Sequence, residues 1–165
     1  MKAIRVHELG GAEKLTLEEV EQPTPKEGEV LIKVAAAGVN YADTMMRAGN
    51  YLTKAELPMT LGYEAAGTIE QVGENVANFS VGQRVLATVI SGGYAEYALA
   101  KAHSVIPIPD ELGFGEATAL LVQGLTALGL LNETRAGQTI LVHAAAGGVG
   151  TLLVQLAKHK GLKVI

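Results

Sequence analysis

The sequence predicts a mixed α and β protein. A small, partly open β-barrel comes first, followed by one strand, one helix and the start of a second strand of a parallel sheet. Three observations predict this. From Met1 to about Pro109, short β-branched runs alternate with glycine and proline breakers, and no helical period is sustained. After Pro107-Ile-Pro109-Asp110 the chain becomes rich in Ala and Leu with few charges, through Asn132. Thr139 to Lys158 then carries an apolar strand into a glycine-rich turn and out into an amphipathic helix.

In chain order, strands are predicted at Ala3 to Glu8, Lys14 to Val20, Glu29 to Ala36, Gly67 to Val72, Arg84 to Val89 and Tyr94 to Ala100. Breakers separate them at Gly10-Gly11, Pro23 to Pro25, Gly28, Gly73, Gly82 and Gly92-Gly93. Even spacing of this kind suits a partly open barrel with long loops. One helix-like insertion, Tyr41 to Arg47, interrupts the rhythm. Phe114 to Asn132 reads as helix, begun by Asp110 or Gly113 and divided by Gly124. So apolar a helix is expected to be buried, in the seam between barrel and nucleotide lobe. Its most apolar part, Ala117 to Leu131, is interrupted by Gln123, Gly124, Thr126 and Gly129 and is expected to be too short to cross a bilayer.

The glycine-rich turn has the spacing Ala145-x-Gly147-x-x-Gly150, a variant of the three-glycine dinucleotide pattern with alanine in the first place. Alanine there is still small enough for a tight turn. Gly147 lets backbone approach the phosphates, Gly150 lets helix approach strand, and Gly148 and Val149 open a helix whose N–H groups and dipole favour an anion. The plainer alternative is a strand, turn and helix with merely convenient glycines. A complete dinucleotide fold needs two βαβαβ halves, so the nucleotide lobe is expected to be truncated. Residues that separate NAD from NADP are expected about 20 positions past the glycines, at or beyond Ile165, which leaves that choice open.

Composition excludes several classes. Hydrophobic residues make up 48% and charged residues 18%, ordinary for a globular chain rather than a disordered one. A net charge of −4 with no basic run argues against nucleic acid as partner. Cysteine is absent, which removes disulfides and thiolate metal ligands and suits a reducing compartment. Met1 to Glu8 holds no apolar core of signal-peptide length, so a cytoplasmic protein without membrane attachment is expected. His7, His103, His143 and His159 show no metal-ligand spacing, although His143 ends the strand before the glycine turn. Ser91-Gly-Gly lacks the strand, sharp turn and helix of a nucleophile elbow, which argues against a hydrolase.

The run Gly137-Gln138-x-x-Leu141-x-x-x-Ala145-Ala146-Gly147-Gly148-x-Gly150-x-x-x-x-Gln155-x-x-Lys158 carries a family resemblance. With it stand Asn40-Tyr41-x-Asp43, Leu57-Pro58-x-x-x-Gly62-x-Glu64-x-x-Gly67, Gly73-x-x-Val76-x-x-Phe79-x-x-Gly82-x-Arg84-Val85, Gly92-Gly93-Tyr94-Ala95-Glu96-Tyr97 and Gly124-x-Thr126-Ala127. In this order they resemble the zinc-independent quinone oxidoreductases, relatives of zeta-crystallin within the medium-chain dehydrogenase/reductase superfamily. The resemblance spans the whole chain. It implies a GroES-like catalytic domain over residues 1–120 and a partial Rossmann domain over 121–165.

What the resemblance implies chemically is hydride transfer from NADPH, with NADH not excluded, to a quinone. The alternatives are an enone or alkenal acceptor, or a crystallin-like protein that binds NADPH without turnover. It also implies a homodimer of the full-length protein, and the chain alone is expected to bind NADPH weakly or not at all. Zinc-dependent relatives carry cysteine where Asn40 stands and histidine where Tyr63 stands, so no zinc is expected. The family positions give Asn40 a place beside the nicotinamide, Tyr41 a phenol for a developing oxyanion or for stacking, and Tyr51 a place in the substrate cleft. Gln123 and Thr126 are cofactor positions alongside Ala145, Gly147, Gly148, Val149 and Gly150. For each the plainer alternative stands: a helix cap at Asn40, ordinary packing at Tyr41 and Tyr51, a bond from Thr126 back to its own helix. Asp43 is expected to pair with a nearby cation, and Glu64 to persist from the vicinity of the lost zinc site.

Overall fold

The computed structural model describes residues 1–52 and 56–165. The chain divides into two compact units, Met1–Thr118 and Ala119–Ile165.

The sheets of the first unit are antiparallel throughout. β1 (Lys2–Val6) lies between β2 (Thr16–Glu19) and β4 (Met59–Thr60). A five-stranded sheet has the order β7-β3-β5-β6-β8, built from β3 (Glu29–Ala37), β5 (Glu64–Val72), β6 (Arg84–Thr88), β7 (Tyr97–Lys101) and β8 (Val105–Pro107). The two sheets are joined where Ile4 N–H donates to the Tyr94 carbonyl at 2.8 Å and Glu96 N–H to that of Lys2 at 3.0 Å, around an Ala3–Ala95 bridge. The result is the curled, partly open barrel that the strand spacing predicts.

Its core forms because the inward positions of β3, β5, β6 and β7 are Val, Ile and Ala. Val30, Ile32, Ala65, Ile69, Val85, Ala87, Ala98 and Ala100 bury together, with Val72, Val76 and Phe79 packed against them. Curvature enters at two register shifts of the β3–β5 ladder, between Leu31 and Ile32 and between Val34 and Ala36. Gly67 sits at the second shift, where a Cβ would collide with the Lys33 carbonyl, so only glycine allows the strands to meet there.

α1 (Tyr41–Arg47) occupies the predicted helical insertion. α2 (Phe114–Leu131) follows Gly113, whose carbonyl accepts the Ala117 N–H at 3.0 Å. Three expectations for α2 are corrected. Gly124 does not divide it, because one glycine costs a helix only about 1 kcal/mol relative to alanine. Nor is it buried: Ala117, Leu121, Ala127 and Leu131 are covered, but Leu120, Leu125, Leu128 and Leu130 are exposed. Finally, its 18 residues and mean hydropathy of 1.4 make it long and apolar enough to cross a membrane, although core helices meet the same criterion.

In the second unit, β9 (Thr139–Ile140) and β10 (Lys163–Val164) pair in parallel across α3 (Gly148–His159). The ladder runs slightly past the strands, since Val142 N–H donates to the Ile165 carbonyl at 2.9 Å. Leu131, Ala157 and Leu162 form the local core with Ile140, Leu153, Leu156 and Val164. This is a βαβ unit.

Candidate functional site

In the second unit the glycine turn is as tight as its spacing requires. Gly147 N–H donates to the Ala144 carbonyl at 2.9 Å and closes the turn, and α3 begins when Thr151 N–H reaches the Gly147 carbonyl at 2.9 Å. A Cβ on Gly150 would overlap the Ala144 carbonyl and the Ala145 backbone, so the first helical turn lies directly on the loop. The spacing places Gly150 against the strand, whereas its nearest atoms belong to the turn that follows the strand. Ala144 adopts φ +52°, a left-handed conformation that costs a residue with Cβ roughly 1–2 kcal/mol. Strain of that size belongs at a loop whose surroundings over-determine it.

Ala145, Gly147 and Gly148 are exposed, Val149 is half-buried and Gly150 buried. Gly147 caps α3 without a side-chain bond, and no acidic residue stands in the first turn. The initial N–H groups of a helix have no carbonyl within it to accept them. Here they meet a surface of glycines and alanine, with the positive end of the dipole unneutralised by the helix's own side chains. Backbone donors behind a surface with so few side chains fit a pyrophosphate.

α2 brings Gln123 to this turn: a Cβ on Gly148 would touch Gln123 Cγ at 3.1 Å. Two residues 25 apart in sequence, both singled out from it, thus meet at the start of α3. Thr126 is different. Its side chain is exposed and its hydroxyl donates to the Val122 carbonyl at 2.7 Å, the bond back to its own helix.

In the first unit Asn40 caps α1 in a capping box with Asp43. Asp43 Oδ2 accepts the Asn40 backbone N–H at 2.8 Å, and Asn40 Nδ2 donates to Glu64 Oε1 at 2.9 Å. Both carboxyls are inside, Glu64 at 1% and Asp43 at 6% exposure. Among the described residues no cation pairs with Asp43, in contrast to the expectation from sequence. Outside α1 its carboxylate meets the Tyr94 hydroxyl, which donates to Oδ2 at 2.9 Å. Burial, then the bond to Asp43, then the charges of Asp43 and Glu64 push the Tyr94 phenol far above its ordinary range, so it stays a donor. Sequence reasoning missed Tyr94. The signal was the pair of glycines before it, which permit a close approach.

Tyr41, beside Asn40, is 79% exposed, and Tyr51 and Tyr63 also reach solvent. The structure therefore joins Asn40 to Asp43, Glu64 and Tyr94 and leaves Tyr41 and Tyr51 on the surface of the unit. Among the described residues no group of three or more His, Cys, Asp or Glu side chains is arranged to hold a metal ion.

Residues 26–110 match the alcohol dehydrogenase GroES-like domain family. Over its full length the chain is 48% identical to the quinone oxidoreductase of Lama guanicoe, of which it covers 52%. A mycobacterial protein solved in complex with NADPH superposes with a TM-score of 0.92 at 42% identity, over 99% of this chain and 52% of that one. The Escherichia coli quinone oxidoreductase complexed with NADPH superposes with a TM-score of 0.92 at 35% identity, over 99% of this chain and 51% of that one. The chain thus spans about half the length of the relatives it matches. It belongs to the alcohol dehydrogenase GroES-like domain family.

Proposed function

We propose that the protein is an NADPH-dependent quinone oxidoreductase that works without zinc. The observation that carries the reading is the glycine turn: Gly147, Gly148 and Gly150 strip side chains from the start of α3, and Gly150 can be no other residue without moving the loop. Two solved relatives in complex with NADPH support the choice of nucleotide.

Bound NADPH would supply one hydride, and reduction of a quinone to its hydroquinone takes up one proton besides. The chain's own residues bind and orient. Ala145 to Gly150 would hold the pyrophosphate by backbone N–H groups, with Gln123 against Gly148 at the edge of that surface. Thr126 gives its hydroxyl proton to Val122 and so offers a cofactor only an acceptor, while Gln123 already lies against the turn and is the stronger of the two α2 positions. On the first unit Asn40 is held by α1 and Glu64, and the exposed Tyr41 and Tyr51 offer phenols to a flat acceptor. A quinone is electrophilic enough to accept hydride without a Lewis acid. A chain with asparagine and tyrosine at positions 40 and 63, where metal-dependent relatives place ligands, fits that chemistry.

The test is a titration and an acceptor panel on the intact protein. Calorimetry is expected to show tighter binding of NADPH than of NADH, and NADPH oxidation is expected with a 1,4-quinone well ahead of an α,β-unsaturated ketone. A preference for the unsaturated ketone would reassign the acceptor. Failure to bind either nucleotide would defeat the reading altogether.

A further inference from the structure

Tyr94 belongs to no element, yet it is held as firmly as a strand residue. The chain at 91–94 crosses the chain at 60–64, and backbone bonds from Gly93 N–H to the Gly62 carbonyl (2.9 Å) and from Tyr94 N–H to the Leu61 carbonyl (3.0 Å) lock the crossing. The crossing is possible only with glycines. Gly62 (φ +96°) and Gly92 (φ +87°) are left-handed, a Cβ on Gly62 would lie 2.7 Å from the Tyr94 ring, and one on Gly92 would overlap the Thr60 carbonyl. The Tyr94 hydroxyl is thereby delivered to Asp43 in α1, 51 residues away in sequence.

One oxygen matters at that meeting. Asp43 Oδ2 accepts both the Tyr94 O–H at 2.9 Å and the Asn40 backbone N–H at 2.8 Å. The phenol and the first turn of α1 therefore share a single acceptor, and Asn40 passes the constraint on through its own bond to Glu64. The buried carboxylate needs its donors, because a charge out of water with one fewer hydrogen bond draws in solvent or moves.

We infer that Tyr94 is a positioning residue for the reaction: its hydroxyl fixes Asp43 Oδ2, which fixes the start of α1, and so sets where Asn40 and Tyr41 stand. The inference rests on the proposed function for its kinetic consequence and on the hydrogen bonds alone for its structural one. It adds to the reductase a residue that touches neither nucleotide nor acceptor.

The test uses Tyr94→Phe in the intact protein, which removes one oxygen and keeps the ring. Losing a hydrogen bond to a charged group at a positioned site is expected to lower kcat with a quinone by about tenfold or more. The Kd for NADPH should hold, because the turn Ala145 to Gly150 is untouched. Hydrogen exchange of the Asn40 backbone amide should quicken by about tenfold for the same reason. Adding Asp43→Asn should recover part of the loss, since an uncharged amide still accepts the Asn40 N–H and needs no second donor. Should Tyr94→Phe fail to fold, Asp43→Asn alone carries the test, with a smaller fall in kcat and NADPH binding again preserved. Unchanged kcat in a folded Tyr94→Phe protein, equal losses in kcat and NADPH affinity, unchanged exchange at Asn40, or additive effects of the two substitutions would each overturn the inference. If the unsubstituted protein oxidises no NADPH, the proposed function fails by itself, and Asn40 exchange still decides whether Tyr94 holds α1.

Discussion

Two neighbouring positions in the glycine turn answer to opposite rules. At Gly150 the backbone is ordinary and the space is missing, because a methyl group would enter the Ala144 carbonyl. Gly150→Ala is therefore expected to destabilise the second unit by about 1–3 kcal/mol, the usual range for overpacking, and to abolish NADPH binding; urea denaturation and calorimetry check the two effects. At Ala144 the residue is exposed and the backbone is wrong, with φ +52°. Ala144→Gly relieves a left-handed alanine worth roughly 1–2 kcal/mol and gives back roughly 0.4–1 kcal/mol through a more flexible unfolded chain. A net gain of roughly 0.5 kcal/mol is expected, read as a rise in denaturation midpoint. The glycines were legible in sequence because spacing alone exposes them. Ala144 was not, since nothing in an alanine announces a positive φ.

At the level of elements, the strands and helices with a clear period were legible: β3, β6, α1 and α3 lie within a residue or two of where sequence places them. β4 and β8 were missed for physical reasons. β4 is two residues long, and β8 ends in Pro107 on the sheet edge, where a missing N–H costs nothing. The partner of Asp43 was invisible for another reason, being a contact across 51 residues that no local pattern records. The β3–β7 pair offers a test of its own. Glu29 and Lys101 are opposed in register, and Lys101 Nζ donates to Glu29 Oε1 at 2.7 Å. That bond, with the Lys26 backbone N–H, holds the Glu29 carboxyl below its ordinary range. A depressed carboxyl contributes stability above the usual glutamate pKa of about 4.3, and the contribution is lost as pH falls through the depressed value. Lys101→Met should thus lower stability at neutral pH and flatten its decline on acidification, as chemical denaturation across pH 3–6 would show.

For the whole molecule, the contrast between the units sets a hierarchy of opening. The first rests on a five-stranded sheet with a continuous aliphatic core, the second on two parallel strands of two residues each and a small cluster around Leu131, Ala157 and Leu162. Native-state hydrogen exchange is expected to show the amides of β3 and β5 exchanging slowest and those of β9 and β10 orders of magnitude sooner. Equal protection in both units would contradict it. Composition misled at this scale: α2 has the residues of a buried helix, yet Leu120, Leu125, Leu128 and Leu130 face outward.

The order β7-β3-β5-β6-β8 has a consequence for synthesis. β3 is flanked by β5 and β7, and its pairing with β7 joins Glu29 to Lys101. A ribosome adding about 5–20 residues each second holds β3 half-paired for several seconds before its second neighbour emerges. During that interval one row of its amides and carbonyls has no partner strand, the condition in which nascent chains most readily join the wrong neighbour or recruit a chaperone.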